Sequence, residues 1–141
     1  MVIVPNVASD TPPLEQNPVF MYCQDGFQKP NPFEPHVAVD ITPVWDKKLD
    51  GLDAHVSQFY EWLPWTVGRL DEVPEGASAR RAWLGEVRKR PVKPEVRAAL
   101  VKWYGLERGN AAEHAEAFEI CEYGRQPDEA VIRELFPMLK E

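Results

Sequence analysis

The chain has 141 residues, 44% of them hydrophobic and 28% charged, which is the composition of a folded chain and not of a disordered one. A chain of this length buries about two thirds of its unfolded surface, so size alone demands no disulfide or metal staple. Sixteen basic against 23 acidic residues give a net charge of -7, which argues against a nucleic-acid partner.

Met1-Val2-Ile3-Val4 is apolar from the first residue, whereas exposed termini are usually polar. The segment that follows, with Pro5, Pro12, Pro13 and Pro18, is rich in turn formers. Val19-Phe20-Met21-Tyr22-Cys23, bounded by Pro18 and Asp25-Gly26, predicts a buried strand. Pro30, Pro32 and Pro35 keep the next stretch out of a continuous helix. Val37-Ala38-Val39-Asp40-Ile41 predicts a second strand. Two strands do not make a self-sufficient sheet, so further strands are expected from elsewhere.

Thr42-Pro43 then opens a predicted helix, with threonine as cap and proline at the first helical position. Trp45, Leu49, Leu52, Val56, Phe59 and Leu63 recur three or four residues apart and form one apolar stripe. Pro64 is expected to stop or kink this helix near Trp62, and Gly51 weakens it. A second helix is predicted over Ala79–Arg90 and a third over Pro94–Tyr104, with Gly105 as its C-cap. The reading continues with a fourth helix over Ala111–Tyr123, burying Ala115 and Phe118. A fifth, from Pro127, carries Asp128 and Glu129 at its positive end and buries Val131, Ile132 and Leu135. Strands first and helices after give an α+β appearance; the same order fits the second half of a larger α/β domain. The organisation read from this is one partial domain over 1–141, a loop-rich strand segment 1–42 followed by a helical segment 43–141.

No apolar run is long enough to span a bilayer, and no basic-then-apolar leader is present, so a cytoplasmic location is expected. Cys23 and Cys121 are read as two buried free thiols. The basic run Arg88-Lys89-Arg90 with Lys93 reads as a solvated helix end.

His55 falls at the edge of the apolar stripe, and Gln58, three residues on, faces the same side. A histidine beside a packed stripe is more often structural than functional. Asp40 ends a strand, where open α/β sheets place ligands, and equally suits the capping of the helix start. A small hydrolase built on His55 and Asp40 needs the two side chains within hydrogen-bond reach. His36 and His114 are isolated, and no HxxH, HExxH or CxxC spacing argues for a metal. His114 is read as solvated on a polar helical face. The five tryptophans read as core, with Trp62 and Trp65 the two that suit a substrate groove.

Val39-Asp40-Ile41-Thr42, then Lys47-Lys48-Leu49, then Ala54-His55-Val56-Ser57-Gln58 together resemble the C-terminal half of the PIG-L, or LmbE-like, zinc-dependent N-acetylglucosamine deacetylases. Val4-Pro5-Asn6, Asn17–Gln24, Gln28-Lys29-Pro30-Asn31-Pro32-Phe33 and His114-Ala115-Glu116-Ala117-Phe118 agree with it. The resemblance implies a Rossmann-like fold, of which this chain would be the C-terminal part: two or more strands followed by about five helices. It implies a hydrolase that releases acetate from an N-acetylated amino sugar or related glycoside. In that family two histidines and an aspartate hold zinc, and an aspartate serves as base. Those residues come from an Ala-His-Pro-Asp-Asp-Glu motif and a later histidine motif, and neither occurs here. The expectation is a truncated family member with no metal ligand, catalytic residue or cofactor of its own, inactive when isolated. His55, Gln58 and Asp40 are then candidates for the active-site wall. Its expected partners are an amino-sugar or glycoside substrate, a separate N-terminal half or a second copy of the chain. The alternative is a non-catalytic structural or interaction domain.

Overall fold

The structure is a computed structural model that describes Pro12 and residues 14–140. The apolar start Met1–Val4 and the Val4-Pro5-Asn6 block lie outside the described residues. The chain divides into two compact units, one drawn from Met1–Val39, Lys93–Ala111 and Glu116–Glu141, the other from Asp40–Val92 and Ala112–Ala115.

The first unit is built on a mixed architecture of sheet and helices. Strands β1 (Val19–Cys23), β2 (Val37–Asp40) and β3 (Ala115–Gly124) form a three-stranded antiparallel sheet in the order β1-β3-β2. The strand at β3 corrects the helix predicted over Ala111–Tyr123. Glutamates at 113, 116, 119 and 122 recur every third residue and imitate a solvated helical face. In the sheet they serve differently: the Glu119 carboxylate accepts the Glu34 N–H at 3.0 Å, and Glu122 lies beside the Tyr22 hydroxyl at 3.4 Å. Met21, Tyr22 and Cys23 pair with Ile120, Glu119 and Phe118, but Val19 pairs with Gly124. The register slip leaves extra residues on β3 and breaks the alternation by which a strand is recognised.

β1 is a strand as predicted, but not a buried one. Phe20, Tyr22 and Cys23 are exposed. Only Cys121 is a buried thiol, which corrects the expectation of two. β2 is the reverse case: Val37 and Ala38 have no exposed surface. Val37 packs with Trp103, Ile132 and Leu139, and Phe118, Ile120 and Phe136 close around them.

Helix α4 (Pro94–Tyr104) matches its prediction in both ends. Pro94 starts it without loss of a needed donor, and Gly105 ends it at φ +82°, a conformation most side chains avoid. It buries Val96, Leu100 and Trp103, and full burial of each large side chain contributes roughly 1.5–3 kcal/mol. The short α5 (Leu106–Ala111) lies against it at Gly109. The Arg97 guanidinium donates to the Gly109 and Asn110 carbonyls at 2.7 and 3.2 Å, satisfying acceptors that a helix end leaves open. Helix α6 (Glu129–Leu135) is capped by Asp128, whose carboxylate accepts the Val131 N–H at 2.9 Å. It buries Ile132; Val131 is half-buried and Leu135 exposed, contrary to expectation.

The second unit holds α1 (Trp45–Asp53), a π-helical segment over Ser57–Trp62, α2 (Leu63–Thr66) and α3 (Ala77–Arg88). The single helix predicted from Thr42 onward is thus interrupted at Ala54-His55. Its stripe also divides. Leu49 is buried with Tyr60 and Leu84, while Trp45, Leu52 and Phe59 pack around them. Val56 points away and is exposed. Pro64 does not stop the chain: it sits within the first turn of α2, where its missing N–H costs nothing.

Candidate functional site

Asp40, His55 and Gln58 all lie in the second unit, Asp40 at the point where β2 ends. The Asp40 carboxylate accepts the Thr42 N–H at 3.0 Å, which turns the chain out of the strand. Thr42 was expected to cap the following helix. Its hydroxyl oxygen instead accepts the N–H groups of Glu113 and His114 at 3.0 and 3.1 Å. The Ile41 N–H donates to the His114 carbonyl at 3.0 Å. His114 is therefore fixed by its backbone and is only 8% exposed. Its imidazole stacks on Trp45, with ring centroids 4.0 Å apart and planes within 7°. This overturns the reading of His114 as solvated. The contact spans residues far apart in sequence, and the neighbouring glutamates hid it.

α1 runs from this corner to Asp53. There the helix opens, and the His55 carbonyl accepts the N–H groups of both Gln58 and Phe59, at 3.1 and 3.0 Å. The π segment follows, and the Leu63 N–H reaches back five residues to the Gln58 carbonyl. One strong contact holds the widened turn. The Tyr60 hydroxyl donates to the Asp53 carboxylate at 2.5 Å, while its ring is buried against Leu49 and Leu84. Sequence reasoning missed this pair, although the seven-residue spacing and the residue types were available to it. Insertions of this kind often occur where a helix presents functional side chains.

Burial and the hydrogen bond to Asp53 push the Tyr60 phenol up to about 12. The folded state thus holds that proton more tightly than the unfolded chain, whose value is near 10.0. The stability gained is complete below pH 10 and is lost as pH rises toward 12. The thermal midpoint is expected to fall across that window, and less steeply in Tyr60→Phe. An equal fall in the variant would exclude Tyr60 as the source.

His55, Ser57 and Gln58 are all exposed beside the helix break, on consecutive turns of one segment. Trp62 and Trp65 are exposed as well, at 52% and 65%, against the reading of the tryptophans as core. Imidazole and carboxamide here have free hydrogen-bonding capacity toward solvent, and the two indoles offer flat apolar faces. Such a surface can bind and orient a polar ring with an apolar face. Among the described residues, no three or more His, Cys, Asp or Glu side chains come together to hold a metal. No helix among them is long and apolar enough to cross a membrane. No family model, curated protein or solved structure matches the chain.

Proposed function

We propose that the chain is part of a PIG-L/LmbE-type deacetylase acting on N-acetylated amino sugars or related glycosides, and that it supplies the substrate-facing wall and not the metal. The observation that carries this reading is the exposed pair His55 and Gln58, held beside a π turn within the Ala54–Gln58 block on which the resemblance rests. Gln58 can donate to and accept from sugar hydroxyls, and His55 can do the same through its two ring nitrogens. Trp62, four residues after Gln58, offers its face to the apolar side of a pyranose. Asp40 keeps the corner after β2 in place through its bond to Thr42. The metal ligands and the base belong to residues outside these 141.

The test uses the natural polypeptide purified from its source cell under native conditions. Intact mass, zinc content and amine release from an N-acetylglucosaminide are measured together. Zinc and amine release should travel with a species larger than 16.1 kDa, and the 141-residue chain alone should show neither. In the larger species, His55→Ala or Gln58→Ala should lower kcat/KM about tenfold, the worth of one good hydrogen bond to substrate. A larger species inert toward every N-acetylated sugar would overturn the reading and leave an interaction domain in its place. So would amine release by the 141-residue chain without zinc.

A further inference from the structure

A cleft of about 170 Å³ opens on the second unit between the π segment, α2 and α3. Its walls are apolar: Phe59, Leu63, Trp83, Leu84 and Val87. An engineered apolar cavity of about 150 Å³ takes up benzene, so this one has room for a single ring or a short alkyl chain. It is far too small for a folded segment of another protein.

Two arginines stand at the wall, and they differ. Arg69 is held by a bidentate pairing with Glu72, at 2.6–2.9 Å. Arg88 was expected to be a solvated helix end, but it is half-buried, with its guanidinium 5.4 Å from the centre of the Phe59 ring. No carboxylate pairs with it among the described residues. Burial, and then the neighbouring Arg90, hold its pKa below the usual arginine value. The last turn of α3 favours a cation but leaves the five guanidinium N–H donors without an anion to bind. A half-buried guanidinium is only partly hydrated, so an anion brought within reach of its free donors would be favoured there. The ligand that suits both features brings one negative charge and an apolar body of ring or short-chain size. A phosphate brings more charge than one arginine matches and no apolar surface for the walls.

We infer that this cleft binds a small monocarboxylate with an apolar body, the ring or chain lying among Phe59, Trp83 and Leu84 and the carboxylate pairing with Arg88. The site is independent of the deacetylase reading: its residues lie in this chain, and none of them belongs to the His55, Gln58 and Asp40 set.

The probes are sodium octanoate and its neutral analogue 1-octanol, titrated into the 141-residue chain while backbone and indole N–H resonances are followed by NMR. Octanoate should give saturable shifts centred on Phe59, Leu63, Trp83 and Val87, with a Kd of about 1 mM or tighter, as suits a ligand of this size. Octanol should bind at the same residues about tenfold more weakly, and Arg88→Gln should remove that difference. If Arg88→Gln abolishes binding of both probes, Arg88→Lys decides: restored preference for octanoate supports the site, and its absence overturns it. Equal binding of the two probes by the unaltered chain would overturn the assignment to Arg88. No saturable shift in the cleft up to about 10 mM octanoate, a concentration at which even a weak complex would show, would overturn the proposal outright.

Discussion

Gly109→Ala is expected to destabilise the first unit by about 2–3 kcal/mol, although alanine is the better helix former. A Cβ at Gly109 would stand 2.6 Å from both the Cα and the N of Val101, and 2.8 Å from the Leu100 carbonyl carbon. Those atoms are the backbone of α4, so no rotamer change relieves the clash. α5 has to move away from α4, and the move stretches the Arg97 bonds to the Gly109 and Asn110 carbonyls. The overlap outweighs the roughly 1 kcal/mol that alanine gains over glycine in a helix. Gly51→Ala is the matched control. It lies inside α1, and its Cβ would meet nothing within 4 Å. That change should stabilise by about 0.5–1 kcal/mol. Urea titration of the two variants checks both signs. A Gly109→Ala chain as stable as the parent would mean that α4 and α5 do not approach at this point.

The elements legible in the sequence are those whose ends are set by local chemistry. Pro94 and Gly105 fix both ends of α4, and Val96, Leu100 and Trp103 mark its buried face without reference to the rest of the chain. Asp128 announces the start of α6 in the same way. β3 was not legible because its glutamates take their meaning from tertiary partners: Glu119 from the Glu34 N–H, Glu122 from Tyr22. The exposure of β1 was not legible either: β1 and β2 are both edge strands, and it is β2 that Trp103, Ile132 and Leu139 cover. The π segment was hidden for a different reason. Trp45 to Leu63 keeps a helical period throughout, and the widened turn shows itself in the folded chain, in the Leu63 N–H bond to the Gln58 carbonyl and the Asp53–Tyr60 contact. At the candidate site, the residue types of His55 and Gln58 were visible in the sequence, whereas the helix break and π segment that carry them were not. The burial of His114 and of Arg88 was not, because Trp45 and Phe59 reach them only in the folded chain.

Leu84→Ala should cost the second unit about 3 kcal/mol, toward the lower end of the range for buried leucines. Leu84 has no exposed surface and packs with Leu49 and Tyr60, so truncation removes three carbons from the centre of that cluster. Leu84 also lines the cleft beneath Phe59 and Trp83. The space it vacates joins an existing opening instead of becoming a sealed void, and water or a shifted Phe59 can enter it. Leu100 offers the comparison, since it is equally buried in α4 of the other unit and does not line this cleft. Leu100→Ala should therefore cost more, about 4 kcal/mol, because a closed cavity forfeits its contacts without replacement. The order of the two costs, read from denaturant midpoints and slopes, is the informative result. If Leu84→Ala proves the more damaging, the cleft is closed in solution, and its apolar floor is core and not a binding surface.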